Sequence, residues 1–184
     1  MKSFVIFTPR IVTMQCPNCV GEVRDRECLS SGLYCIMPPK DAIGTKYPEI
    51  SDKALMLENL RSKCVFETTK VKSQADDDDL RFFNYLYNMR HDCVFENKEL
   101  NSWCANDVMH ALKIDTAEVD VCMQNSFKSP SDYSTDNMLL YQDKLLAEVY
   151  GMSRHPALTI NGQIYRGDMT GYDVFKAICS SFQS

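Results

Sequence analysis

Cys16-Pro17-Asn18-Cys19 is the pattern in this sequence best equipped for chemistry. Two thiols separated by two residues after a strand form a redox centre when a helix N-terminus lowers the pKa of the first. Cys16 and Cys19 would then be the catalytic pair of a thiol–disulfide oxidoreductase. The residues after Cys19 weaken that reading. Gly21 to Arg26 is polar rather than an amphipathic helix, and more cysteines come soon after. Cys16, Cys19, Cys28 and Cys35 also match zinc in number, but the second pair encloses six residues, too wide for a typical knuckle. His91-Asp92-Cys93 sets the residue types of a nucleophilic triad side by side, yet adjacent helical residues do not converge on one point. His155 precedes Pro156 and reads as shaping a turn. No Gly-rich phosphate loop, His-Glu-x-x-His pair or nucleophile elbow is present. The sequence therefore calls for no metal and no cofactor, and it favours a protein that is not an enzyme.

Disulfides account better for the thiols. Nine cysteines in 184 residues is a high density for a reducing compartment. Cys16, Cys19, Cys28, Cys35, Cys64, Cys93, Cys104, Cys122 and Cys179 are all candidates for structural bridges. Their number is odd, so at least one thiol is left free, modified or paired with another chain. The expected location is the lumen of the secretory pathway or the exterior of the cell. Pro9-Arg10 interrupts the first apolar run too early for a signal core, so the chain is expected to be a piece of a longer precursor. With 45% hydrophobic and 24% charged residues the composition is globular. A net charge of -5 lacks the clustered positive face of a nucleic-acid binder. The longest apolar run falls well below the roughly 18 residues of a membrane helix.

Around these residues the chain divides into recognisable segments. Residues 4–15 are rich in β-branched and aromatic types and read as strand, interrupted at Pro9. Residues 16–50 form a cross-linked, loop-rich stretch. Ser51 caps a helix predicted over 52–64. A polar loop over 70–79 ends in Asp76–Asp79, four acids suited to the start of a helix over 78–90. The crowding of Phe82, Phe83, Tyr85 and Tyr87 on both faces of that helix points to a partner surface. Further helices are expected over 98–113, from 115 through Cys122, and over 135–150. Residues 157–160 and 163–166 form a hairpin on the two-residue turn Asn161-Gly162. Thr170 caps a last helix to Phe182, with Val174, Phe175, Ile178 and Cys179 expected to face inward.

Strand, helical block, proline-led hairpin and final helix is the order of the second half of a thioredoxin-like fold. The expected class is α/β: one domain over 1–184, a thioredoxin-like sheet, and a helical insertion over 52–150. Pro156 sits where that fold keeps a cis-proline, and an X-Pro bond has only a weak trans preference.

Several stretches carry a more specific likeness. Phe7-Thr8-Pro9, Thr13 and Cys16-Pro17 resemble the Phe-Thr-Pro…Thr…Cys-Pro stretch in the luminal region of plant-type vacuolar sorting receptors. Cys28 to Cys35 is similar to that family's Cys-x-x-x-Gly-x-Tyr-Cys. Glu58-Asn59-Leu60-Arg61 with Cys64 and Phe66 resembles its Gln-Asn-Leu-Arg-x-x-Cys-x-Phe, and Pro156 to Gly167 its Pro-x-Leu…Asn…Tyr-Arg-Gly. Cys93, Cys104, Cys122 and Cys179 fall where the family places cysteines. The resemblance covers residues 7–182. It implies a polypeptide-binding luminal module, or a structural subunit of a larger assembly. It also implies a strand, a cysteine pair and a helix upstream of the point where this sequence begins. Without that strand the sheet is expected to lack its first core member and to be completed by another segment or chain.

Overall fold

The computed structural model describes residues 6–16, 20–36, 50–72, 80–97, 99–130, 132–152 and 157–182. The chain forms two compact units, residues 1–144 and 145–184.

The first unit is built around one long helix. After α1 (Gly21–Glu27), a short hairpin joins β1 (Cys28–Leu29) through a 3-10 turn (Ser30–Gly32) to β2 (Tyr34–Cys35). The pair is antiparallel, with Cys28 opposite Cys35 and Leu29 opposite Tyr34. Next comes α2 (Asp52–Lys72). Met56, Leu60 and Cys64 stack on one line at i+4 spacing, and Val65 and Phe66 widen the buried face. The helix runs past the predicted end at 64. Thr68 and Thr69 return their hydroxyls to the carbonyls of Cys64 and Val65, at 2.9 and 2.8 Å, so polar residues stay in helical register.

Helix α3 (Arg81–Asn88) passes at Met89 into a π-helical segment, Met89–Glu96, instead of continuing as regular α-helix to 90. Then α4 (Ser102–Ala111) is capped by the Asn101 side chain on the Cys104 N–H, and α5 (Thr116–Ser126) by Asp115 on Ala117 and Glu118. Helix α6 spans Met138–Val149. Its buried residues Leu140 and Asp143 belong to the first unit. The core joins Leu29 and Tyr34 to Met56, Leu60, Tyr85, Met109, Val119 and Leu140.

The stretch read as strand over 4–15 is corrected among its described residues. From Ile6 to Cys16 the only strand-type pairing is an isolated antiparallel bridge between Met14 and Cys35. The Ile11 N–H turns instead to the Asp143 carboxylate, at 2.9 Å, where a strand neighbour would otherwise sit.

In the second unit, β3 (Thr159–Ile160) and β4 (Gln163–Ile164) pair antiparallel around Asn161-Gly162. Both turn residues have positive φ, 50° and 78°, which the tight type I′ connection requires. Helix α7 (Gly171–Ser180) is capped by Thr170 on the Asp173 N–H. Here the expectation of inward-facing side chains is corrected at two positions. Phe175 and Cys179 are exposed, while Val174 and Ile178 are half-buried, because a single amphipathic helix with one short hairpin offers little surface to cover its stripe. Among the described residues the strands form two separate two-stranded sheets in a helix-rich chain. No helix among these residues is long and apolar enough to cross a membrane. Pro156 and its peptide bond lie outside the described residues.

Candidate functional site

The cysteines form a framework. Cys28–Cys35 closes the first hairpin, Cys64–Cys122 ties α2 to α5, and Cys93–Cys104 ties the π-helical segment to α4. Cys16 is also disulfide-bonded, and its N–H donates to the Gly32 carbonyl at 3.5 Å. Cys19 lies outside the described residues. A short polar helix, α1, comes after this motif, where the sequence shows no amphipathic one. Yet α1 has seven residues, buries none of them and begins five positions after Cys16. Its N-terminus is too far along the chain to lower the pKa of a thiol at Cys16 in the manner of a redox motif. With Cys28 and Cys35 bonded to each other, the four-thiolate zinc set is not available. Cys179 on α7 is free and exposed.

His91 does not face Cys93. Its Nδ1 meets the Asp92 carboxylate at 2.7 Å, and that hydrogen bond raises the imidazole pKa above its usual value. Cys93 is buried and bridged. His110 is exposed near the end of α4.

Two buried polar networks hold the frame, and the sequence reading missed both. The Asp143 side chain is fully buried. It accepts from the Lys63 ammonium, from Arg10 at 3.0 Å and from the Ile11 N–H. One carboxylate thereby fixes the N-terminal segment and α2 to α6. In the second network Glu58 accepts from the Arg61 guanidinium and, at 2.6 Å, from the Tyr85 hydroxyl. Burial pushes the Glu58 carboxyl up, against the pull of Arg61 and Tyr85. The signal available in the sequence was the position of these residues: Lys63 lies beside Cys64, and Asp143 three residues after Leu140, on otherwise apolar helical faces.

The arrangement best suited to meeting a partner lies on α3 and the π-helical segment. Phe82, Tyr85, Met89 and Cys93 point into the core. Phe83 and Tyr87 point outward, 46% and 69% exposed, with Leu80 and Leu86 beside them. Phe83 is the outer member of a ring cluster that reaches the core through Phe7, Phe82 and Phe66, with centroids 5.2–6.1 Å apart. Tyr87 stacks on His91 at 6.2 Å, and the Arg90 guanidinium sits 5.1 Å over the Phe95 ring. The sequence hint of aromatics on both faces of this helix thus divides into an inner set, Phe82 and Tyr85, that is buried and an outer set, Phe83 and Tyr87, that packs on one side and stays exposed on the other. Among the described residues no cluster of three or more metal-ligating side chains forms.

A family model for the vacuolar sorting receptor thioredoxin-like domain matches residues 1–179. Vacuolar-sorting receptor 1 of Pisum sativum is 29% identical over 184 residues, covering 96% of this chain and 27% of the receptor. Vacuolar-sorting receptors 2 and 3 of Arabidopsis thaliana are 27% and 29% identical, over 96% and 98% of this chain. The chain spans little more than a quarter of the length of the curated relatives it matches.

Proposed function

Because this chain belongs to the vacuolar sorting receptor thioredoxin-like domain family, we propose that it is a receptor-like, non-enzymatic module that binds polypeptide. It works in the lumen of the secretory pathway or outside the cell, where disulfides such as Cys64–Cys122 persist. The observation that carries the reading is the exposed aromatic face around Phe83 and Tyr87, seated on a frame held by the disulfides and the two buried polar networks. Rings of this kind supply large contact area at low cost in side-chain entropy, and the frame keeps them ordered before a partner arrives.

In this reading residues 1–184 are one functional domain and 52–150 an insertion within it. A further segment or another chain pairs with the β3–β4 hairpin, since a lone two-stranded hairpin is marginal in water. Such a chain would also suit a structural subunit of a larger assembly. The oxidoreductase alternative with Cys16 and Cys19 is not favoured, because the helix after the motif starts too late to activate Cys16.

The test is selection from a random peptide display library on the immobilised, oxidised protein. Enrichment of peptides that bind again in solution, at micromolar affinity or better, is the expected result. Absence of any enriched binder, together with turnover in a thiol-exchange assay that depends on Cys16, would reverse the order of the two readings.

A further inference from the structure

Phe83, Tyr87, His91 and Phe95 recur every four residues across the junction between α3 and the π-helical segment. Four residues of α-helix make slightly more than one revolution, so a stripe at this spacing drifts around the cylinder. In the wider π turn, bonded i to i+5, four residues fall short of a revolution and the drift reverses. By this geometry the change at Met89 keeps the four ring positions near one edge, as a ladder. That edge lies on the side of the helix away from the buried line of Tyr85, Met89 and Cys93, with Phe83 at its start also packed against Phe7 and Phe82. Phe95 is 43% exposed and His91 is exposed, like Phe83 and Tyr87. The parallel Tyr87–His91 stack, 13° between planes, is one rung pair of the ladder.

The two flanks differ. Asp92, whose carboxylate also holds the His91 ring, and Glu96 come one position after the last two rungs and are both exposed, which makes one flank acidic. On the other side lie Leu86 and Arg90, the latter drawn onto Phe95. The ladder is a convex ridge on a helix, whose own backbone groups are used within the helix. An extended peptide laid on it would find no main-chain partners for its N–H and C=O groups, whereas a helical one carries them already satisfied. One ring per turn also matches the one apolar side chain per turn of an amphipathic helix.

We infer that the ladder Phe83–Tyr87–His91–Phe95 docks an amphipathic α-helical segment of a partner polypeptide, with Lys or Arg along the edge that meets Asp92 and Glu96. The inference rests on the polypeptide-binding reading above and gives that partner its chemistry.

Fluorescence anisotropy on the full, oxidised chain tests it. The probe is a labelled amphipathic peptide of about 18 residues, long enough for several helical turns, with Leu on one stripe and Lys on one flank. A second peptide has Glu in place of Lys, and a third has two central prolines. The Lys peptide is expected to bind, with the Glu and proline peptides each weaker by about tenfold or more. Tyr87→Ser is expected to lose about tenfold for the Lys peptide. The double variant Asp92→Lys/Glu96→Lys is expected to prefer the Glu peptide. All three side chains are exposed, so circular dichroism should be unchanged. Equal binding of the Lys and Glu peptides, full affinity of the proline peptide, or an unaffected Tyr87→Ser variant would overturn the inference. If display-selected peptides still bind when the ladder variants fail to matter, the polypeptide-binding reading stands and only the ladder falls. If no selected peptide binds the unaltered protein, the broader reading falls first.

Discussion

The two hairpins of this chain have equal strand lengths and opposite surroundings. In the first, Leu29 and Tyr34 are buried side by side, and the turn between them takes three successive positive φ values, 52° at Ser30, 54° at Ser31 and 95° at Gly32. Two of those three residues carry a Cβ, which costs on the order of 1 kcal/mol apiece in the left-handed region. Tertiary bonds hold the strained turn: the Ser30 N–H donates to the Tyr133 carbonyl at 2.9 Å, and the Tyr34 hydroxyl donates to Asp136 at 2.6 Å. In the second hairpin no strand residue is buried, and the turn is Asn161-Gly162, the pair most tolerant of its geometry. Where surroundings bind a hairpin tightly, its turn can be locally unfavourable. Where they do not, the turn residues must supply the preference themselves.

The same contrast ranks the experiments. The largest effect is expected from cross-links in residues 1–144. Replacing Cys64 and Cys122 by Ala opens a bridge between residues 58 apart and should lower stability by about 4 kcal/mol in denaturant titration. Little change in the midpoint would mean that this unit relies on local structure as the second hairpin does. Next comes Asp143→Ala, which leaves the buried Lys63 ammonium without its carboxylate. Breaking such a pair costs roughly 3–5 kcal/mol, and the lower end is expected here because Arg10 reaches solvent. Restored stability in Asp143→Ala/Lys63→Met would identify the stranded charge as the cause.

The hairpins themselves can be compared through glycine. At Gly32 an added Cβ meets the Arg24 side chain at 3.3 Å, on top of the positive φ, while at Gly162 nothing lies within 4 Å. Gly32→Ala should therefore cost about 1–2 kcal/mol of overall stability. Gly162→Ala should cost about 1 kcal/mol, seen as faster amide exchange at residues 160–163. Equal costs would remove the distinction between the two turns.

The smallest effect concerns acidity. Asp52 is raised by burial and by its hydrogen bond to Glu27, whose charge adds to the shift. An acid raised in the folded state contributes stability below its ordinary pKa and loses it as pH rises through the folded value. Asp52→Asn should thus stabilise the protein at neutral pH by less than about 1 kcal/mol, since the group is partly solvated. The gain should fade as pH falls toward the ordinary aspartate range, and a gain that grew with acidity would contradict it.

Local rules wrote a good part of this structure. The hairpin at 159–164 and the caps at Asp115 and Thr170 were legible because each depends on residues within a few positions of one another. The spacing of Leu55, Leu57, Leu60 and Cys64 likewise marked α2, whose apolar period is that of a helix. The cysteine density pointed to cross-links, and the motifs around Cys16, Cys28, Cys64 and Tyr165 to the family.

Other features needed partners far along the chain. Ile11 gives its N–H to a carboxylate 132 positions away, so the β-rich stretch at 6–16 does not become a strand. Glu58, Lys63 and Asp143 look like solvent-facing charges in the bare sequence, and they are buried because each meets a partner brought by the fold. The outer aromatics were visible as residue types. Their alignment was not, because it depends on a change from α to π geometry at Met89, and no periodicity of side chains encodes the width of a backbone turn. Residue order alone set most of the helices, their caps, the second hairpin and how many sulfurs could pair. Packing selected which faces are covered, since burial belongs to the assembled chain and not to any one segment.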